Sequence, residues 1–418
     1  MSNFRHIKRL FFLILLTASH CYAHDDAIVE HHDYIQIDKN LTLAQVISLT
    51  LEQFPDQMLN TARQQEANAL QQRGNSWLAG APNIAMRYQD DLPGDDIGSR
   101  EIEAELELPL WNWGQRSAGQ KVAEEALLSV KEQSSIIKLD VAGLVRTALW
   151  NIELENIRYQ QARSNQNISQ QLLNKIKRRV ELGDLPRADL LLAKSDHLAK
   201  RSLLTKAEAE LMHARKSYLS LTQMSTIPAS FKEELSPIIE ISASHPMLAA
   251  MNAVVRRKQA ELKWVKSAGS GQSSFILGGK SEKGDENADD IESMSVEFSI
   301  PFGGSAHLAP EIASANLELT ETYAERAHLF RDLEKQHHEA KHALEVSRTE
   351  LKLANELKQI SESLLKMTRL SFAAGEINLI DLLKIQAKSL DSIRLAKEQE
   401  IMLQKNIALY NQAVGVQP

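Results

Sequence analysis

From Glu101 to Leu108 the chain alternates strictly, with Ile102, Ala104, Leu106 and Leu108 apolar and Glu101, Glu103, Glu105 and Glu107 acidic. A period of two places each set on its own face of a β-strand. Four carboxylates in line repel one another unless water solvates them, so one face is predicted wet and the other apolar. Strands of about ten residues with that pattern are what a transmembrane barrel requires. Asn83 to Gln89 carries a weaker version, in which Ile84, Met86 and Tyr88 alternate with Asn83, Arg87 and Gln89, and the polar stretch from Leu92 to Ser99 joins the two strands. The pattern recurs downstream: Met294, Val296, Phe298 and Ile300 alternate with Ser293, Ser295, Glu297 and Ser299, and Phe275 to Lys280 supplies a partner strand across the acidic loop Ser281 to Asp290. One such hairpin reads as well as the amphipathic cover of a soluble core, but its recurrence favours a membrane sheet. Four strands cannot close a barrel, and open edges are untenable in hydrocarbon, so other copies must complete it.

Elsewhere the apolar spacing is helical. Leu41 to Gln53 and Asp56 to Trp77 are two shorter helices separated by Pro55. Gln115 to Leu182 contains no proline and predicts one helix on the order of 100 Å long. Its return partner runs from Pro186 to about Leu221, and a less regular segment, Thr222 to Ser244, follows. The second half predicts a helix after Pro246, a rod from about Ala309 to Ala373 and a return helix to Ala413. In that rod Leu353, Leu357, Ile360, Leu364 and Met367 have the spacing of a coiled-coil seam.

The two halves are copies of one plan. GDLPRADLL at Gly183 to Leu191 returns as GEINLIDLL at Gly375 to Leu383, an offset of 192 residues. The same offset pairs Pro109 with Pro301, Leu172 with Leu364, Lys177 with Arg369, Asp189 with Asp381, Leu198 with Leu390 and Tyr218 with Tyr410. A register held this long is a duplication. Each repeated stretch reads as the tight tip of an antiparallel helical hairpin, its glycine ending one helix in the left-handed conformation and its next residue, Asp184 or Glu376, suiting the start of another. The expected division is a signal peptide (1–23), an acidic, His-containing leader (24–40), a first repeat (41–221), a linker (222–243) and a second repeat (244–418).

Composition narrows the function. A net charge of −7 and 5% aromatic residues leave no basic, aromatic-interleaved footprint for nucleic acid. Arg5, Lys8 and Arg9 precede the apolar run Leu10 to Leu16, which predicts a secretory signal cleaved after Ala23. Cys21, the single cysteine, is alternatively the lipidated residue of a lipoprotein signal. Beyond the signal no apolar run approaches the roughly 20 residues of a spanning helix. Trp77, Trp111 and Trp113 flank the first hairpin, and Trp264 and Phe302 the second, either as an interfacial girdle or as packing at the helix-to-strand junction.

With the duplication, Pro109 and Pro301 closing the strands, the segment LPLWNWGQR and two tips ending in Asp-Leu-Leu, the chain resembles the TolC-like outer-membrane efflux proteins (the outer membrane factor family), and within them the cobalt-zinc-cadmium type cation efflux subgroup. The resemblance covers essentially the whole mature chain. It implies a mainly α protein with a membrane β-barrel portion: a homotrimer with one twelve-stranded barrel in outer-membrane lipid and a tunnel of twelve helices in the periplasm. It further implies a periplasmic adaptor (membrane fusion) protein and an inner-membrane RND-type pump as partners, with no cofactor and no catalysis. By position Gly183, Asp184, Leu185, Asp189, Gly375, Glu376, Ile377 and Asp381 would form the tip that docks the adaptor. The family's acidic entrance is matched at Asp381, whereas Lys384 stands at the second position. Glu101, Glu103, Glu105, Glu107 and Glu297 would line the barrel lumen.

Two further patterns suggest other chemistry. His338-Glu339-Ala340-Lys341-His342 matches HExxH, which on a helix sets two imidazoles on one face for zinc with the Glu as general base, but it lies within a long rod with no third ligand nearby. The stretch HDDAIVEHHDY offers His24, His31 and His32 as a weak metal-collecting tail, or is simply a polar leader. The rival functions are a drug, organic-solute or type I secretion channel, a periplasmic structural coiled coil without a pore, and a zinc hydrolase.

Overall fold

The computed structural model describes residues 34–92, 94 and 97–418. The predicted signal, Cys21 and the histidines His24, His31 and His32 lie outside them. In order, the elements are β1 (Gln36–Asp38), α1 (Leu43–Glu52), α2 (Asp56–Asn75), β2 (Asn83–Asp90), β3 (Arg100–Leu110), α3 (Gln115–Glu181), α4 (Arg187–Thr222), β4 (Thr226–Pro228), α5 (Pro246–Ser267), β5 (Ser273–Lys283), β6 (Ile291–Ser299), α6 (Ser305–Ala373) and α7 (Leu379–Ala413). The duplication is visible in the boundaries. Asn75 and Ser267, Glu181 and Ala373, and Arg187 and Leu379 are equivalent helix ends, each pair 192 residues apart. The rods α3 and α6 have 67 and 69 residues, so each is about 100 Å long.

The four longer strands form one antiparallel sheet in the order β2-β3-β5-β6, which leaves β2 and β6 with a neighbour on one side only among the described residues. The helical layer keeps the same order. Near the sheet α2 packs on α3, α3 on α5 and α5 on α6; farther away α4 packs on α3, α3 on α7 and α7 on α6. Pro246 at the start of α5 meets Gly415 just beyond α7, so these two helices stack end to end. The outer members are therefore α2 and α4 on one side and α6 on the other.

Around the middle of α3 the chain is less regular but firmly packed. Thr42 and Gln45 form a capping box that starts α1, with Gln45 N–H donating to the Thr42 hydroxyl at 3.2 Å and Thr42 N–H to the Gln45 side chain at 2.9 Å. Val46 and Ile47 then pack on Val141, Val145, Leu149 and Tyr218 in the largest apolar core. The Tyr218 hydroxyl donates to the Thr226 carbonyl at 2.8 Å, and burial pushes its pKa up to about 12. Its repeat equivalent Tyr410 donates to the Ile238 carbonyl at the same distance. The expected linker is thus a packed segment: β4 pairs in parallel with β1, a strand within the expected leader.

Three expectations change. The stripe Leu353, Leu357, Ile360, Leu364 and Met367, expected as a coiled-coil seam, faces outward, exposed from 38% at Leu364 to 65% at Ile360. Leu344, Ser347, Ala354, Ser361 and Leu365 are buried on α6 instead, and small residues among them allow close helix approach. Asp184 and Glu376 do not start helices, which begin three residues later at Arg187 and Leu379. Strand β5 continues past Lys280 to Lys283, because Arg100, Glu101 and Ile102 supply partners for its last three residues.

Candidate functional site

The sheet separates its two faces as the alternation predicts. Ile84, Met86, Tyr88, Ile102, Met294, Val296 and Phe298 are exposed, from 48% at Ile102 to 90% at Met294, while Glu101, Glu103, Glu105 and Glu107 are half-buried on the other face. Cross-strand register sorts the polar face into rows. Arg87, Glu103, Lys280 and Ser293 share one row, and Ala85, Glu105, Gly278 and Ser295 share the next toward the helices. Arg87 lies 3.3 Å from Glu103, and Lys280 lies 3.0 Å from Glu101 and 2.8 Å from Glu282. The line of carboxylates is therefore not held by water alone, since its loop-side members have cationic partners. Glu105, Glu107 and Glu297 make no ion pair or side-chain hydrogen bond within the described residues, and Glu297 is exposed on the edge strand β6.

The aromatics divide into a packed set and an exposed set. Trp111 and Trp264 pack edge to face at 5.9 Å, the Trp111 indole donates to the Ser76 carbonyl at 3.1 Å, and the Arg73 guanidinium lies 4.8 Å from the Trp264 ring. These fasten the helix-to-strand junction. Trp77, Trp113 and Phe302 are almost wholly exposed at the helix end of the strands.

The tips are built twice in the same way. Gly183 and Gly375 have φ of +78° and +80°. Asp184 N–H donates to the Arg179 carbonyl at 2.8 Å and Glu376 N–H to the Ser371 carbonyl at 2.9 Å, while each glycine N–H reaches the carbonyl three residues back. This double bond pattern is a Schellman motif, and glycine is favoured there because a Cβ is strained at such φ. Asp184 also accepts from Arg179 Nε at 2.6 Å. In the second tip Asn378 caps α7 by accepting from Asp381 N–H at 2.9 Å. Gly183, Asp184, Gly375, Glu376, Asp381 and Lys384 are exposed, and Asp189 is half-buried in the first turn of α4. Leu185 and Ile377 are drawn inward, packed with Ile176, Leu379 and Leu382 in a core shared by both tips.

Sequence reasoning about acidic tips missed a basic groove beside them. A cavity of 710 Å3 between α3 and α6, floored by α7, is lined by Lys175, Arg178, Arg179 and Arg369 over apolar Leu172 and Phe372. Arg179 stands 5.6 Å from the Phe372 ring and so links the two tips. Of the aligned pair Lys177 and Arg369 only Arg369 lines the groove, and the convergence of α3 and α6 that forms it is tertiary.

The HExxH residues do not form a site. His338, Glu339 and His342 are exposed on α6, and Glu339 lies 3.8 Å from Lys335. No cluster of three His, Cys, Asp or Glu able to hold a metal occurs among the described residues. The preceding His337 turns inward, its Nε2 3.3 Å from the Tyr410 hydroxyl, and burial with the nearby Lys341 holds its pKa below the ordinary value. No helix among the described residues is long and apolar enough to cross a membrane.

No protein-family model matches the chain, and no curated protein matches it in sequence. Solved structures do match in fold. CusC, described for the conformational changes of folding and transmembrane channel formation, superposes with a TM-score of 0.73 at 14% identity over 91% of this chain and 93% of its own. The outer membrane protein VceC of Vibrio cholerae gives 0.72 at 12% identity over 90% and 97%. The Campylobacter jejuni CmeC outer membrane channel gives 0.71 at 14% over 89% and 85%. The two-hairpin sheet carried on paired long helices is thus the fold of outer-membrane channels.

Proposed function

We propose that the protein is the outer-membrane channel subunit of a tripartite efflux system and has no catalytic activity. The observation that carries this reading is the sheet with an exposed apolar face and with both edges, β2 and β6, open among the described residues. In hydrocarbon an unpaired edge costs several kcal/mol per backbone group, so the sheet must continue into further copies. The helical layer has matching open sides. Leu353, Leu357, Ile360, Leu364 and Met367 on α6 and Leu191, Leu198 and Leu203 on α4 are exposed apolar residues at opposite ends of the same helical row. One copy's α6 against the next copy's α4 is a head-to-tail contact, the kind that builds a ring when its rotation closes. Three copies give twelve strands and twelve long helical columns. In this reading the polar strand face lines the lumen, the helices stand in the periplasm, and the tips meet an adaptor protein that connects to an RND-type pump in the inner membrane.

Divalent heavy-metal cations are the proposed cargo, supported by the sequence resemblance to the cation efflux subgroup and by the acidic strand face. Deleting the gene should raise sensitivity to zinc, cobalt, cadmium or copper. Unchanged metal tolerance with new sensitivity to hydrophobic antibiotics would move the cargo to drugs. A structural coiled coil without a pore is disfavoured by the exposed apolar strands; release of the protein by osmotic shock, without detergent, would restore it.

A further inference from the structure

The channel reading leaves open where along the barrel cargo charge is discriminated, and the strand register bears on this. In the loop-side half of the polar face, Glu101 and Glu282 share a row, and Arg87 and Lys280 flank Glu103 in the row below. Lys280 bridges Glu101 and Glu282, and Arg87 pairs with Glu103, so three carboxylates are met by two cations. The helix-side half contains Glu105, Glu107 and Glu297 and no lysine or arginine. Glu105 in particular is flanked by Ala85 and Gly278, residues too small to reach its carboxylate. Gly278 lies at an ordinary backbone angle, yet a Cβ there would strike the Ser295 hydroxyl and come within 3.6 Å of Glu105 Cγ. The glycine keeps the space beside Glu105 empty.

We infer that the helix-side half of the barrel, through Glu105 and Glu107, sets the charge preference of the channel, and that Arg87 and Lys280 form a cationic belt offsetting two of the three carboxylates of the loop-side half. A narrow wet passage lined by one sign of charge concentrates the opposite ion, whereas a paired row contributes little field. Cargo would be selected as it leaves the helical tunnel, with the outer row neutral enough to release it. The acidic tips are then secondary to selectivity. This inference rests on the proposed channel function.

The test is the reversal potential of the purified full-length protein in planar bilayers under a KCl gradient, read from individual inserted channels so that poor folding yield does not imitate a change. The wild type is expected to prefer K+ to Cl−. Glu105→Gln with Glu107→Gln should lower the permeability ratio by at least about threefold, and Arg87→Gln with Lys280→Gln should raise it by about twofold or more, within the range that lining charge produces. An unchanged ratio in the first variant would place selectivity elsewhere, and an unchanged ratio in the second would show that no belt cancels the outer carboxylates; either overturns the inference while leaving the channel intact. Absence of conductance in the wild type would instead overturn the channel reading itself, and this inference with it.

Discussion

Arg146 on α3 donates to both carboxylate oxygens of Glu233, at 2.8 and 2.6 Å, from a position only 1% exposed. The same guanidinium reaches the Gln412 side chain at 2.6 Å and the Val416 carbonyl at 3.1 Å. One buried charge therefore joins the first rod, the segment between the repeats and the end of the chain. Glu233→Ala strands that charge without a counter-ion and should cost about 3–5 kcal/mol. Thermal unfolding followed by circular dichroism checks this, and Glu240→Ala, an exposed neighbour in the same segment, should melt within error of the wild type.

Gly119 lies inside α3, where alanine would ordinarily stabilise by about 0.5–1 kcal/mol. Here a Cβ would stand 2.6 Å from the Trp264 ring, which is held by Trp111 and Arg73. Gly119→Ala is expected to destabilise by about 1–3 kcal/mol through overpacking. The sign of the change in melting temperature decides the matter.

Acid should loosen the contact between α3 and α5 at Glu125. Burial favours its neutral form, but Lys121 at 3.0 Å and Arg256 at 3.1 Å together outweigh burial and hold its pKa below the ordinary 4.5. A depressed carboxylate pKa contributes stability that is present above the unfolded value and lost as pH falls through the folded one. Stability should therefore decline below about pH 4.5, and Glu125→Gln should make that decline shallower. Denaturant titrations of both proteins across this range provide the comparison.

The basic groove at the tips predicts the charge of the partner segment that enters it. Arg178→Glu with Arg369→Glu should weaken adaptor binding at least tenfold at low salt, with a smaller difference at high salt because screening removes steering. Surface plasmon resonance against the purified adaptor measures it; equal affinity for wild type and variant would remove the groove from the docking surface.

The sequence made the strands and the duplication legible because each rests on local periodicity or on a long constant offset. Gly183 and Gly375 were readable as helix ends for the same reason, since a positive φ imposes a residue preference directly. Other features depended on pairings that no period encodes. β1 and β4 have three residues each and lie far apart in the chain, so neither carries a pattern of its own. The compensation of Glu103 by Arg87 becomes visible only once strand register is known. The stripe from Leu353 to Met367 reads as a seam, but heptad spacing identifies an apolar face and not the helix that covers it. The packing of Leu185 and Ile377 on Ile176 and Leu382 likewise joins the two tips across a distance in sequence that no local pattern spans.

The central claim is that copies of this chain join through the open edges β2 and β6 and the exposed sides of α4 and α6. Native mass spectrometry of the protein extracted with detergent from outer membranes tests it most directly. A particle of three copies is predicted; a monomer obtained under the same gentle extraction would contradict the account.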